Sequence, residues 1–268
     1  MSAAYECIVV DAPGAAVARI TLNRPEKRNA INSQMRTELF DALHAHDEDR
    51  SVRVTIVRGA GPCFSSGYDL GSALWKDKPF WSSDGDGKWS RHVSEGWFGL
   101  WDLAKPVIAQ VHGYALAGGT KLMAACDLAY VADDAQVGYP VTRIISPPDM
   151  QFHPWLVGMR NAMELLLTGD SIPGDEAARI GLCNRAYPAA ELESAVLAIA
   201  EKVAKVESDL QQLNKRSVHR AMDIMGVRAA IRAGSELQAL ASHQASVEAR
   251  LANALASMKD AADKPRAD

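Results

Sequence analysis

The chain has few of the residues that mark metal-binding or nucleic-acid-binding proteins. Its only cysteines are Cys7, Cys63, Cys126 and Cys183, and no two of them form a C-x-x-C pair. This spacing argues against a zinc or iron–sulfur site. The 29 basic and 33 acidic residues give a net charge of −4, and no block of five like charges occurs. The sequence therefore carries no electrostatic footprint for nucleic acid.

Long apolar runs are also missing. The longest uncharged run, Pro106–Thr120, has 15 residues and contains Gln110 and His112, so it is too short and too polar to span a bilayer. The N-terminus carries Glu6 and Asp11 where a signal peptide needs a basic flank and an apolar stretch. We expect a cytoplasmic protein that makes no membrane contact.

Three common catalytic motifs are absent. There is no G-x-G-x-x-G after a strand, no G-x-x-x-x-G-K-[ST] and no G-x-S-x-G. The sequence thus lacks the signatures of a dinucleotide fold, a P-loop and an α/β-hydrolase serine. With 268 residues, 48% apolar and 23% charged, it has the composition of an ordinary globular protein.

The residues that are present predict an α/β core followed by helices. Tyr5–Val10 and Ala15–Leu22 flank a Pro-Gly turn and predict a hairpin. Ser33 is expected to cap a helix, and Val52–Val57 is rich in β-branched residues and predicts a buried strand. The buried stripe of that helix is expected to be Met35, Leu39, Ala42 and Leu43.

A strand, a glycine loop, a helix and a second strand follow, which is the pattern of a parallel crossover. The two strands are predicted at Pro106–Val111 and Asp127–Val131, with a helix between them that ends at Ala125. After about residue 190 the sequence is nearly all helical. The expected helices are Glu191–Val206, Ser208–Met225 and Val227–Lys259. We therefore expect an α/β core over residues 1–190 and a helical part over 191–268.

Residues 72–101 hold five of the six tryptophans. They are Trp75, Trp81, Trp89, Trp97 and Trp101. Large rings in such a segment can cover a core, and this is the interpretation that we favour. They can also form the apolar wall of a ligand cleft, and the two roles are compatible.

Two glycine loops follow predicted strands and could work together. They are Ser65-Ser66-Gly67-Tyr68 and Ala117-Gly118-Gly119. Glycines at strand ends allow backbone amides to approach a ligand closely. If the loops lie side by side, their amides could form an oxyanion hole for a carbonyl oxygen.

Four segments, in order, resemble the crotonase (enoyl-CoA hydratase/isomerase) superfamily. The opening signature is similar to Ile20–Asn32, and the two oxyanion segments are similar to Cys63–Leu70 and His112–Lys121. Leu165–Asp170 is similar to a later landmark. The resemblance covers residues 5 to about 190, and the C-terminal helices match in kind but not in motif.

The resemblance implies an α/β fold: a spiral of ββα units with a helical C-terminal trimerisation part, assembled as a homo-trimer or a dimer of trimers. It implies an acyl-CoA thioester substrate and no separate cofactor, since coenzyme A enters as part of the substrate. The thioester oxygen would lie between the amides of Tyr68 and Gly118. Residues implied to contact coenzyme A are Lys27, Arg28, Ala30, Ser66, Tyr68, Asp69 and Leu70. Of these, Asp69 is expected to fix its loop rather than to do chemistry.

The chain departs from the family pattern at both hydratase glutamates. Lys121 stands three residues after the oxyanion glycine, and Val141 follows the proline of the short segment Gly138-Tyr139-Pro140. Valine moves no proton, and a charged lysine is not a base. Asp149 and His153 are the best surrogate acid/base pair, although Ser146 to Asp149 also fits a helix capping box. Lys121 could hold a substrate carboxylate or an enolate, or pair with an acid.

The favoured function is that of an acyl-CoA enzyme of the hydratase/isomerase type with doubtful hydratase activity. Decarboxylation or hydrolysis of an acyl-CoA is the second interpretation within the superfamily. Acyl-CoA binding without catalysis is a hypothesis from a different class of function. A serine peptidase of similar architecture is disfavoured by the missing serine motif.

Overall fold

The computed structural model describes residues 5–69, 88–144, 148, 150–242, 244–247, 249–250 and 253. Within this part of the chain there are nine strands and eight helices. The strands are β1 (Ile8–Gly14), β2 (Val17–Leu22), β3 (Val54–Gly59), β4 (Val107–Val111), β5 (Tyr114–Leu116), β6 (Leu128–Ala132), β7 (Gln136–Gly138), β8 (Ser171–Pro173) and β9 (Arg185–Tyr187). The helices are α1 (Ser33–Glu48), α2 (Lys88–Asp102), α3 (Gly118–Ala125), α4 (His153–Thr168), α5 (Gly174–Arg179), α6 (Leu192–Ala204), α7 (Ser208–Ile224) and α8 (Val227–Ser242).

The main sheet has six strands in the order β1-β2-β3-β4-β6-β9. The β1–β2 hairpin is antiparallel, and every other pairing in this sheet is parallel. Parallel neighbours need crossover connections, and helices α1 and α3 stand between successive strands as the sequence predicts. The mixed α/β architecture expected from the sequence is therefore confirmed.

Both faces of this sheet are covered by apolar side chains. In β4 every residue is buried; Val107, Ala109 and Val111 pack in one apolar cluster and Ile108 in the other. The first cluster includes side chains of α1, α2 and α3, and the second is covered by α6. A strand buried on both faces gives a nearly continuous apolar run rather than an alternating one, and in β4 only the buried Gln110 interrupts it.

A second sheet has three strands in the order β5-β7-β8. Helix α3 begins shortly after the end of β5. Strand β5 lies between the predicted strand Pro106–Val111 and the glycine loop Ala117–Gly119, where the sequence predicts no strand. A three-residue strand offers too little periodicity to be found from sequence. Strand β5 pairs in parallel with β7, and β7 pairs antiparallel with β8.

One predicted helix cap differs from the observed one, and a second lies outside the described residues. The side chain of Asn32, not Ser33, caps α1, because Asn32 Oδ1 accepts a hydrogen bond from the Met35 amide at 2.8 Å. The buried stripe predicted for α1 is confirmed. Helix α4 begins at His153, next to Pro154, whereas the capping box predicted at Ser146 and Asp149 lies outside the described residues.

The C-terminal helices pack on the core in different ways. Helix α6 places Leu192, Val196 and Ala200 against the sheet. Helix α8 packs on α2, where Arg232 pairs with Glu95 and buried serine hydroxyls meet at 3.1 Å. In the part of the chain that the structure describes, no helix is both long and apolar enough to cross a membrane.

Candidate active site

The two glycine loops lie side by side, as the sequence analysis expected. The first loop is tied to Ile31, whose amide donates to the Gly67 carbonyl at 2.7 Å and whose carbonyl accepts from the Asp69 amide at 3.0 Å. The Tyr68 amide lies between these two bonds and takes no part in them. The second loop joins the first where the Leu116 amide donates to the Ser65 carbonyl at 3.0 Å.

This close approach explains the glycines. A Cβ on Gly119 would lie 2.5 Å from the Ser65 carbonyl oxygen, a separation that no real side chain accepts. Gly67 has a φ of +106°, and its Cβ would lie 3.0 Å from the Gly118 amide nitrogen. Glycine is therefore required at these positions because the two backbones touch and because one of them is left-handed.

Helix α3 begins at Gly118, and the residue before it, Ala117, has a strained backbone. Ala117 has φ 49° and ψ −113°, a conformation that non-glycine residues rarely adopt. It is held there by a hydrogen bond from its amide to the Gly138 carbonyl at 3.0 Å, while Thr120 Oγ1 donates towards the carbonyls of Ala115 and Gly138. As the first residue of the helix, Gly118 has an amide that the helix itself does not use.

Arg24, in the turn that follows β2, holds the first loop in place through two contacts. Arg24 Nη2 contacts Asp69 Oδ2 at 2.9 Å, and its Nη1 donates to the Ala30 carbonyl at 2.6 Å. This ion pair gives Asp69 a loop-fixing contact. Asn29 is fully buried with a φ of 51°, and its side-chain amide donates to the carbonyls of Ala60 and Cys63. Sequence reasoning missed Asn29, although asparagine is one of the few residues that tolerate left-handed backbone.

The other residues implied to contact coenzyme A surround this turn. The side chains of Lys27 and Arg28 are exposed. The half-buried Ser66 donates its amide to the Arg28 carbonyl at 3.0 Å, so it follows the turn directly. Leu70 lies outside the described residues.

Lys121 is buried, with only 3% of its surface exposed, and its amine faces two tyrosine rings. Its Nζ lies 5.2 Å from the ring centre of Tyr68 and 4.9 Å from that of Tyr139. Burial lowers the pKa of Lys121 well below its usual value. Because it lies three residues after Gly118 in α3, both residues occupy the same helix face.

His153 shares a small cavity with Lys121. The cavity is lined by Thr120, Lys121, Ala124, Met150, Phe152, His153 and Leu182. Burial, with the nearby Lys121 charge, lowers the pKa of His153 to about 4, so the imidazole is neutral at neutral pH. Its Nδ1 lies 2.8 Å from Gln151 Oε1. The structure thus brings His153 and Lys121 together, whereas Asp149 lies outside the described residues.

Val141, which the resemblance implies to stand at the second glutamate position, lies in a short turn. Val141 is half-buried in a short 3₁₀ turn, Pro140–Arg143, that follows Tyr139. Thr142 Oγ1 holds this turn against α4 by donating to the Leu166 carbonyl at 2.9 Å. Tyr139, which sequence reasoning did not select, faces the Lys121 amine from this turn.

The tryptophan-rich segment contributes to the core. Trp97 and Trp101 are buried in α2, which agrees with the core interpretation. Trp97 also donates from Nε1 to the Tyr68 hydroxyl at 2.8 Å, a contact that no sequence pattern signals. Trp75 and Trp81 lie outside the described residues, and so does the side chain of Trp89.

A family model described as enoyl-CoA hydratase/isomerase matches residues 13–258 of the chain. The chain belongs to the enoyl-CoA hydratase/isomerase family. A Mycobacterium tuberculosis protein assigned as enoyl-CoA hydratase EchA13 is 38% identical over 234 residues, which cover 80% of this chain and 74% of the relative.

Solved structures of the enoyl-CoA hydratase/isomerase family agree with this membership. An enoyl-CoA hydratase from Mycobacterium smegmatis superposes with a TM-score of 0.85 at 30% identity, covering 94% of this chain and 89% of the other. An enoyl-CoA hydratase/isomerase from Xanthobacter autotrophicus Py2 superposes with a TM-score of 0.81 at 32% identity, covering 95% and 99%. The crotonase-type α/β fold with a helical C-terminal region, expected from the sequence, is therefore confirmed.

Proposed function

We propose that the chain binds acyl thioesters of coenzyme A and stabilises a thioester enolate with the backbone amides of Tyr68 and Gly118. The observation that supports this proposal is the contact between the two glycine loops, where the Leu116 amide donates to the Ser65 carbonyl and a Cβ on Gly67 would lie 3.0 Å from the Gly118 amide nitrogen. Donors fixed in this way favour the negative charge that develops on the thioester oxygen without having to reorganise.

Coenzyme A would bind along the turn from Arg24 to Ala30. Lys27 and Arg28 are exposed there, and their charges suit the phosphates of the nucleotide end. Ala30, Ser66, Asp69 and Leu70 would line the path from the nucleotide to the thioester. The Ala30 carbonyl already accepts from Arg24, so this residue would contribute backbone shape rather than a new hydrogen bond.

Proton transfer in this site would differ from that of a hydratase. Hydration of an enoyl thioester needs a base for the water and an acid for the α-carbon, and Lys121 and Val141 supply no carboxylate. His153, Asp149 and Lys121 are the remaining groups that could move a proton. We therefore propose weak hydratase activity.

Decarboxylation is the second candidate, and one observation favours it. Loss of CO₂ from an acyl-CoA with a carboxylate on the α-carbon leaves the electron pair as the enolate, so no base is required. Only one proton must then reach the α-carbon, and no group of the site has to take one up. A site with an oxyanion hole and no glutamates suits this reaction better than hydration. Hydrolysis of the thioester, or binding without turnover, would use the same pair of backbone amides.

Calorimetry with acetyl-CoA and with free acetate tests the proposed function. We expect the thioester to bind and acetate not to bind at millimolar concentration. The double variant Lys27→Ala/Arg28→Ala should weaken acetyl-CoA binding by about ten-fold, equivalent to ~1.4 kcal/mol. Lys202→Ala, an exposed lysine of α6, is the matched control and should leave the affinity unchanged. Absence of acetyl-CoA binding at millimolar concentration would overturn the proposal.

A further inference from the structure

The Tyr68 side chain lies along the face of α3 that would hold the reacting end of the substrate. If Gly118 carried a Cβ, that atom would lie 3.1 Å from each of three Tyr68 ring carbons. The face of the ring therefore covers the Gly118 backbone. Further along the helix, the Lys121 amine stands over the same ring at 5.2 Å.

The ring is fixed at its far end. The Tyr68 hydroxyl accepts from Trp97 Nε1 at 2.8 Å, and Trp97 is fully buried in the core. Arg36, which is 6% exposed, lies close enough to act electrostatically on the phenol and contacts the Trp97 ring at 5.7 Å. If the ring swung away, the Trp97 indole N–H would lose this partner inside the core, which is unfavourable.

We propose that the Tyr68 side chain restricts the acyl group to a short one, such as acetyl or butyryl. The inference rests on the proposed function, since it takes the thioester oxygen to lie at the amides of Tyr68 and Gly118. An acyl chain that leaves that oxygen along α3 meets the ring, because the ring occupies the space between Gly118 and Lys121. Tyr68 thus has two roles: its backbone amide binds the oxygen, and its ring limits the acyl length.

The affinity for acyl-CoA probes should change with chain length in an unusual way. In an open apolar cleft, each added methylene tightens binding by roughly four-fold, because its surface leaves water. Here the gain should stop at butyryl-CoA, and octanoyl-CoA should bind at least about ten-fold more weakly than acetyl-CoA, since the ring blocks the added carbons. Calorimetry on the wild-type chain with acetyl-, butyryl- and octanoyl-CoA measures this directly.

Substitutions at Tyr68 separate the ring from the hydroxyl. Tyr68→Ala removes the ring and should shift the ratio of octanoyl-CoA to acetyl-CoA affinity by at least about ten-fold towards octanoyl-CoA. Tyr68→Phe keeps the ring, removes the hydroxyl that accepts from Trp97, and should retain the preference for short chains. Tyr114→Ala, an exposed tyrosine of β5, is the matched control and should not change the ratio.

The outcomes are distinguishable. If the wild-type chain binds octanoyl-CoA as tightly as acetyl-CoA, the inference is wrong while the proposed function stands. If the Tyr68→Ala protein, shown to be folded by circular dichroism, keeps the short-chain preference, the restriction comes from another group and the inference is equally wrong. If no acyl-CoA binds to the wild-type chain, the proposed function fails and the inference fails with it.

Discussion

We expect Lys121 and Val141 to stand at the positions that hydratases of this family fill with glutamate, as the resemblance to the crotonase superfamily implies. Each group that transfers a proton contributes ~10²–10⁴-fold to a rate. We expect hydration of crotonyl-CoA by the wild-type chain to be slower than that of an ordinary hydratase by ~10⁴-fold or more. The double variant Lys121→Glu/Val141→Glu should raise the rate, followed by the absorbance of the enoyl thioester, while either change alone should do little.

The matched control for this experiment is Lys121→Gln/Val141→Gln, which has similar side-chain volume and no carboxylate. It should hydrate no faster than the wild-type chain. Partial recovery in the glutamate variant would already be informative, because new carboxylates need placement to about half an ångström. Wild-type turnover at the usual enzyme rate of ~1–10³ per second would contradict the prediction. Asp149 and His153 would then be the first positions to mutate.

His153 makes the stability of the protein depend on pH. Its pKa is lowered to about 4 in the folded state by burial and by Lys121, against ~6.5 for an unfolded chain. Between these values the unfolded state binds more protons, so the free energy of unfolding falls as the pH is lowered from ~6.5 to ~4. The loss attributable to His153 is about 3 kcal/mol. His153→Gln should flatten this part of the pH profile in urea unfolding, and His44→Gln, exposed on α1, should not.

At the scale of elements, one buried lysine joins α7 to the sheet. Lys215 Nζ contacts Asp127 Oδ2 at 2.9 Å and donates to the carbonyls of Leu100 and Lys105. Asp127 precedes β6 and also accepts from the Val107 amide at 2.7 Å, at the start of β4. His219 of α7 stacks on Trp101 with ring centres 4.4 Å apart. These contacts fix α7 against the end of α2 and the edge of the strands.

Removing this lysine should therefore be costly. Lys215→Met keeps most of the volume but removes the cation from the half-buried Asp127 carboxylate and two carbonyls, while His219 Nε2 stays 3.2 Å from Asp127 Oδ1, and we expect a cost of about 3 kcal/mol. Urea unfolding measures the difference, with Lys202→Met as an exposed control on α6. A loss below about 1 kcal/mol would show that α7 is held by its apolar contacts alone.

At the scale of the whole molecule, the C-terminal helices present uncovered apolar side chains. Leu237 and Leu240 of α8 are 56% and 62% exposed, and Leu213 and Ile224 of α7 are 61% and 81% exposed. Exposed apolar groups that recur on neighbouring helices are typical of an interaction surface. We propose that the protein assembles as a homo-trimer or a dimer of trimers through this part of the chain.

Light scattering at micromolar concentration tests the assembly. We expect a mass corresponding to three or six chains of 28.9 kDa. Leu237→Lys/Leu240→Lys should shift the mass towards the monomer, because each lysine would have to be buried in the interface. Val9→Lys, an exposed apolar residue of β1, is the control and should leave the mass unchanged. A monomer mass for the wild-type chain would contradict the prediction.

Features determined by neighbouring residues could be predicted from the sequence. The order of strands, loops and helices follows from apolar periodicity and glycine placement, and the stripe of α1 from spacings of three and four residues. The expected replacement of both hydratase glutamates also rests on local sequence alone, on the position of Lys121 after Gly118 and of Val141 after Pro140, and it stays a prediction. Strand ends were less certain; β3 runs from Val54 to Gly59, two residues later than predicted.

Only the tertiary structure decided which distant residues meet. Trp97 reaches the Tyr68 hydroxyl, and Tyr139 faces Lys121 from another loop, because the fold brings separate elements onto one helix face. The burial that lowers the pKa of Lys121 and His153 is likewise a property of the packed core, not of the local sequence. Local preferences set the elements, but the charge state and shape of a site depend on contacts whose sequence separation no short motif encodes.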